Sequence, residues 1–207
     1  MFARKSDSST SVYINQCFPG ANHRMIRELP NWLTWSRIVM IPLLILAFYA
    51  LPMPGAGVVA AIIFALAAIT DWADGYLARR WKVTSRFGAF LDPVADKLIV
   101  AAALVLVVDH NPGLGLALAA IVIIGREIAI SALREWMAEV GASAKVAVSW
   151  VGKVKTTAQM VAIFLLLWAE PVAGLPIFAI GEWLLYLAAV LTLVSMIQYM
   201  LAAAREG

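Results

Sequence analysis

The chain is 207 residues long, 63% hydrophobic and only 14% charged, with a formal net charge of +3, a pI of about 9.2 and a mean hydropathy of +0.86. These values exclude an ordinary water-soluble domain, and the uncharged run from Ile38 to Thr70, 33 residues, exceeds the roughly 20 needed to cross a bilayer. The lone Cys17, in a polar segment, excludes an intramolecular disulfide, and the basic residues are distributed as membrane topology requires rather than as a nucleic-acid patch.

From the N-terminus, Met1 to His23 is polar, with Ser6, Ser8, Ser9, Thr10 and Ser11 clustered and no apolar stretch long enough for a signal-peptide core. This predicts a disordered cytosolic extension over residues 1–24, followed by one all-α, six-helix transmembrane domain over residues 25–207. The first apolar helix is expected at about 33–51, opened by Pro30-Asn31-Trp32-Leu33-Thr34-Trp35-Ser36-Arg37. Asn31, Thr34 and Arg37 recur at helical spacing, while Trp32 and Trp35 suit a membrane interface. They read either as a helix start with an interfacial anchor, or as a polar face turned toward the acidic residues that follow.

Pro52-Met53-Pro54-Gly55 breaks that helix, and a second is expected at about 57–80. Only residues 57–70 are uncharged, about 21 Å of helical rise against a hydrocarbon core of roughly 30 Å. Asp71 and Asp74 therefore sit near or within the membrane boundary, where ionisable residues are costly and mark function by default. A basic link, Arg80 to Arg86, leads to a third helix expected to begin between Ser85 and Asp92 and to run to Val108. Asp92 before Pro93 suits an N-cap with a first-turn proline, which leaves Asp96 and Lys97 unexplained. Asp109-His110-Asn111-Pro112-Gly113 predicts a turn, in which His110, lacking a metal-ligand partner, is a loop residue.

The fourth helix, at about 114–137, carries Arg126, Glu127, Arg134 and Glu135 in its second half. Arg126 and Arg134 are eight apart and so lie near one face, either as a functional pair or in an interfacial ion-paired network with the two glutamates. Residues 138–154 read as a weakly polar surface connection, 155–169 as the fifth helix, 171–181 as an outer loop and 183–203 as the sixth helix. With Met1 on the cytosolic side, all 16 Lys and Arg fall in inner loops or inner halves of helices. Both termini are then cytosolic, and the regions of Asp71 and Asp92 share one membrane face with Arg126, Lys153 and Lys155.

The most informative stretch runs from Asp71 to Asp96. Asp71 and Asp74 are three apart and Asp92 and Asp96 four apart, so on helices each pair shares a face. Four carboxylates brought together repel unless cations stand between them, and hard divalent ions such as Mg2+ take such oxygen donors. Gly75 allows close approach of a ligand to the backbone, and Arg79 offers planar donors to phosphate. An acidic pole for metal and a basic set for a second anion suit a diphosphate substrate, because metals bridge carboxylates and phosphate oxygens.

The pattern D-x2-D-G-x2-A-R-x8-G-x3-D-x3-D, met by Asp71, Asp74, Gly75, Ala78, Arg79, Gly88, Asp92 and Asp96, resembles the signature of the CDP-alcohol phosphotransferases. Pro30 to Arg37, Gly125-Arg126-Glu127, Ser131 to Trp136 and Ser149 to Thr156 are similar to the bacterial branch that makes phosphatidylglycerophosphate, and the likeness covers about residues 25–204. It implies transfer of the phosphatidyl group from CDP-diacylglycerol to the 1-hydroxyl of sn-glycerol 3-phosphate, with release of CMP. It further implies that Asp71, Asp74 and Asp92 hold two divalent cations, Mg2+ or Mn2+, that Asp96 is a further ligand and the general base, and that Gly75, Ala78 and Arg79, with Asp71 and Asp74, contact the CDP-lipid. Arg126, Lys153 and Lys155, with Arg134 behind them, are the candidates for the acceptor phosphate; attraction to anionic lipid headgroups is the competing reading of the same charges. A homodimer in the bacterial cytoplasmic (inner) membrane is expected from the same likeness, with no nucleic-acid partner.

Two alternatives follow from the residues. One is a family member with a different acceptor, such as serine, inositol phosphate or a second lipid. The other is a divalent-cation transporter, which would distribute acidic residues through the membrane depth; here Asp109, Glu170 and Glu182 fall at turns or helix starts.

Overall fold

The structure, a computed structural model, describes residues 23–52, 55–81, 86–139 and 150–206. Among these residues it contains six helices: α1 His23–Ala50, α2 Gly55–Trp81, α3 Arg86–His110, α4 Leu114–Glu139, α5 Trp150–Trp168 and α6 Ile177–Glu206. The chain is an all-α integral membrane protein, consistent with a medium in which every backbone amide must be satisfied within its own helix. Among the described residues, three segments are long and apolar enough to cross a membrane by themselves, Gly55–Ala73, Leu114–Met137 and Ile177–Gln198, and shorter apolar stretches run over Trp35–Ala50 and Lys155–Trp168.

The helix ends correct several expectations. α1 begins at His23, ten residues before the apolar run, because Arg24, Met25, Arg27, Glu28 and Leu29 are good helix formers that hydropathy does not register. Asn31, Thr34 and Arg37 therefore lie within α1 and not at its start, so the N-cap reading fails. Asp92 likewise lies six residues inside α3, with Pro93 an internal proline, and does not cap that helix. α3 continues through Asp109 and His110 before Asn111 closes it, its amide donating to the Val107 carbonyl at 3.0 Å. The α5–α6 connection is tighter than expected. Ala169 and Ala173 take positive φ (56° and 51°), as does Gly174 (81°), and the Leu175 amide donates to Val172 O at 3.0 Å, so α6 starts at Ile177. The expected extension over residues 1–24 falls almost wholly outside the described residues.

Two helices act as spines. α1 packs along both α2 and α3, which touch each other only slightly, and α6 packs along both α4 and α5. α2 against α5, and α3 against α4 and α5, join the two groups. The core is lined by Leu44, Phe64, Leu104, Ile123, Ile163, Leu166 and Leu185, interleaved with the buried alanines 60, 61, 67, 103, 119, 120, 162 and 189. Small residues let helix backbones approach where lipid supplies no hydrophobic drive to association. Gly57 is the closest approach to a neighbouring backbone among the described glycines: a Cβ there would lie 2.6 Å from the Leu167 carbonyl oxygen, so α2 and α5 cross at a point only glycine permits. Leu118, Ile121, Ile128, Leu187 and Val190 face outward, as expected of lipid-facing positions.

Candidate active site

Polar side chains in apolar helices must find partners, and those described fall into two groups, one on the helices that carry the aspartates and one on α4 to α6. Thr70, one residue before Asp71, satisfies its hydroxyl internally by donating to the carbonyls of Leu66 (2.8 Å) and Ala67 (2.9 Å). Asp71, the next residue, is the first ionisable side chain of α2.

Arg37 is the most deeply buried charged residue among those described, at 1% exposure. Its Nη1 donates to Asp71 Oδ1 at 2.9 Å and also to Asp96 Oδ1, so one guanidinium joins α1 to both aspartate helices. The first and last aspartates of the sequence pattern are thereby brought to one point from helices that otherwise meet little. The reading of Arg37 as part of a polar face turned toward the aspartates is the one the geometry supports. The side chains of Asp74, Gly75, Ala78, Arg79 and Asp92 lie outside the described residues, as do those of Asn31 and Thr34.

No group of three or more His, Cys, Asp or Glu side chains able to hold a metal is present among the described residues. The donor chemistry nevertheless fits a hard divalent ion. Asp71 and Asp96 present carboxylate oxygens to a shared position that already attracts a cation, and both side chains are partly exposed (44% and 36%), open to an entering ion.

A second cluster lies between α4, α5 and α6. Arg126 Nη1 donates to Glu127 Oε1 at 2.5 Å, and Lys155 Nζ stands 3.6 Å from the same oxygen. Lys155 is 2% exposed and Arg126 is largely buried. Arg126 Nη2 also reaches Ser195 Oγ on α6, at 3.4 Å. Gln159, Thr192 and Ser195 are buried in the same helices, and the Nε of Arg126 and the hydroxyl of Thr192 are buried without a hydrogen-bond partner. Of the four basic residues expected to form an acceptor site, the structure brings Arg126 and Lys155 together through Glu127, while the side chains of Lys153 and Arg134 lie outside the described residues. The interfacial network expected for Arg126 is thus present through Glu127; Glu135 is exposed.

The two clusters are connected. Lys97, next to Asp96, donates to Ser131 Oγ on α4, and that hydroxyl donates to the Glu127 carbonyl at 2.6 Å. Gln159, Thr192 and Ser195 were not singled out in the sequence, and Ser131 was named only as the start of a stretch that resembles the family. A signal existed: Ser131 is four residues after Glu127 and so shares its face, and Thr192 and Ser195 are three apart in an otherwise apolar helix, where polar residues face the protein interior.

The chain's likeness to known proteins accords with this geometry. Residues 27–194 match the family model described as CDP-alcohol phosphatidyltransferase. A protein of Sodalis glossinidius named CDP-diacylglycerol–glycerol-3-phosphate 3-phosphatidyltransferase is 59% identical over 181 residues, covering 86% of this chain and 96% of that relative. Relatives with the same name from Pectobacterium atrosepticum (56% identical; 86% and 96% covered) and Salmonella choleraesuis (55%; 85% and 94%) match almost as well. The match takes in α1 from Arg27, all of α2 to α5 and α6 as far as residue 194, and with it Arg37, Asp71 and Asp96 of the first cluster and Arg126, Glu127, Lys155 and Thr192 of the second: the chain belongs to the CDP-alcohol phosphatidyltransferase family.

Proposed function

We propose that the chain transfers the phosphatidyl group of CDP-diacylglycerol to sn-glycerol 3-phosphate, giving phosphatidylglycerophosphate and CMP in phospholipid biosynthesis. The observation that carries this reading is the identity of 55% to 59% along nearly the whole length of relatives that bear the name of this reaction. The cluster chemistry supports it: an acidic pole suits a metal-neutralised diphosphate, and a basic pole suits an acceptor that itself carries a phosphate.

In this mechanism Asp71, Asp74, Asp92 and Asp96 would hold two divalent cations, Mg2+ or Mn2+. When bound, such ions offset the charge of the diphosphate and of the departing CMP. Gly75, Ala78 and Arg79, with Asp71 and Asp74, would receive the CDP-lipid. Asp96 accepts the proton of the acceptor 1-hydroxyl as that oxygen attacks the phosphatidyl phosphorus. The bond between that phosphorus and the bridging oxygen breaks, and CMP leaves with the oxygen and its electron pair. Arg37 orients Asp96 through Oδ1. Arg126 and Lys155, with Lys153 and Arg134, would hold the acceptor phosphate, which an uncharged alcohol lacks.

The topology proposed with this reaction is six spans in the bacterial inner membrane, both termini cytosolic, as a homodimer. Soluble glycerol 3-phosphate and the lipid-borne diphosphate then meet at the cytosolic boundary. A direct test supplies purified protein with CDP-diacylglycerol and, in turn, glycerol 3-phosphate, serine, inositol phosphate and a second lipid while CMP release is followed. Glycerol 3-phosphate is expected to be preferred by a wide margin, and preference for any other acceptor would overturn the assignment. Metal flux into proteoliposomes without CMP release would favour a transporter.

A further inference from the structure

Arg37 stands on the spine helix between the two aspartate helices, and its position has consequences beyond orienting one carboxylate. Among the described residues, α1 packs along α2 and α3, whereas α2 and α3 touch each other only slightly. The relative placement of the aspartates is therefore set through α1. At their level it is set through one nitrogen, which donates to Asp71 from one side and Asp96 from the other. Oxygens that share a donor are only a few ångströms apart, and two carboxylates at that range repel one another when nothing positive lies between them.

An arginine fits this task better than a lysine, because its charge is permanent and its donors are fixed in a plane. Its burial at 1% exposure would be costly without carboxylate partners, and the carboxylates would be costly together without it. Each therefore requires the other in the absence of any other cation. A divalent ion between the same carboxylates would supply the same compensation from outside the chain.

We infer that Arg37 is a resident cation that assembles the Asp71–Asp96 pair before any metal enters, and that Arg37 and a bound divalent ion substitute for each other in holding α2 against α3. Arg37 is in this sense a positioning residue. The inference rests on the reading that these aspartates bind divalent ions. It makes Arg37 and the ion competitors electrostatically, since both answer the same negative charge. Removing Arg37 then weakens the metal-free protein while strengthening its hold on metal, a pairing that a simple structural pin does not produce. Reciprocity requires this: whatever metal binding restores to the variant's stability appears as tighter binding to the folded variant.

The test compares wild-type protein with Arg37→Gln and Arg37→Lys in detergent, stripped with EDTA and then titrated with Mn2+. Thermal unfolding and the resonance signal of free Mn2+ are both recorded. Metal-stripped Arg37→Gln is expected to melt roughly 5–10 °C below wild type, with most of the gap closed at saturating Mn2+ and Arg37→Lys in between. Folded Arg37→Gln is expected to bind Mn2+ about tenfold more tightly than wild type. Equal melting deficits with and without Mn2+, together with unchanged affinity, would overturn the inference and leave Arg37 a structural pin. If Arg37→Gln can be recovered only when purified in Mn2+, the inference is supported; if it cannot be recovered even then, the inference is overturned. Absence of Mn2+ binding to wild-type protein would instead remove the metal reading itself, and this inference with it.

Discussion

Where α2 and α3 carry the aspartates, one buried cation, Arg37, stands between two carboxylates; where α4 and α5 carry the basic residues, one carboxylate, Glu127, stands between two cations, Arg126 and Lys155. Each arrangement is served by a spine helix, α1 in the first and α6 in the second. Among these described side chains, the carboxylates outnumber the cation two to one at the first and the cations outnumber the carboxylate two to one at the second. The first cluster is thereby prepared to receive additional positive charge and the second additional negative charge. A reaction between a metal-bound diphosphate and a phosphate-bearing acceptor requires that pairing, and the Lys97–Ser131–Glu127 contacts link the two sides.

The largest effect is expected at Asp96. Asp96→Asn should reduce turnover roughly a hundredfold to ten-thousandfold, measured as CMP release, because it removes the proposed proton acceptor. Near-normal turnover would separate the aspartate cluster from the chemical step. Arg126→Ala is the matching change at the basic cluster. It should raise the apparent KM for glycerol 3-phosphate about tenfold to a hundredfold with little effect on that for CDP-diacylglycerol, whereas an effect confined to the CDP-lipid would exchange the roles of the clusters.

Glu127→Gln should lower stability by about 3 kcal/mol, since it removes the carboxylate that the buried Arg126 and Lys155 share. Glycerol 3-phosphate should restore part of the loss in thermal unfolding, because its phosphate can replace the missing charge. No protection by the ligand would argue that the basic cluster is purely structural. The smallest effect is expected far from both clusters. Tyr49 donates to Asp109 at 2.7 Å between the ends of α1 and α3, in an exposed position. Tyr49→Phe should leave turnover and Mn2+ binding unchanged, and a marked loss of either would show that the two ends of these helices are coupled.

The all-α membrane class and the aspartate pattern were legible in the sequence because each depends on local signals: apolar length, breakers such as Pro52 and Pro112, and short fixed spacings. The start of α1 was not, because residues 23–32 form helix through propensity while lacking the apolar character by which spans are recognised. Arg37 was visible as a residue on the right face but not as a bridge. Its partners lie 34 and 59 residues away, and which helices α1 separates is a property of packing. Glu127 likewise read as a neighbour of Arg126, while its contact with Lys155 depends on how α4 and α5 pack against α6.

The most direct measurement follows isotopically labelled glycerol 3-phosphate through the reaction of purified protein with CDP-diacylglycerol and Mg2+, with lipid and aqueous products separated by mass. The account predicts that the label enters phosphatidylglycerophosphate, one CMP appearing for each lipid formed, and that EDTA abolishes both. Label remaining in the aqueous phase while CMP is released to another alcohol would contradict it.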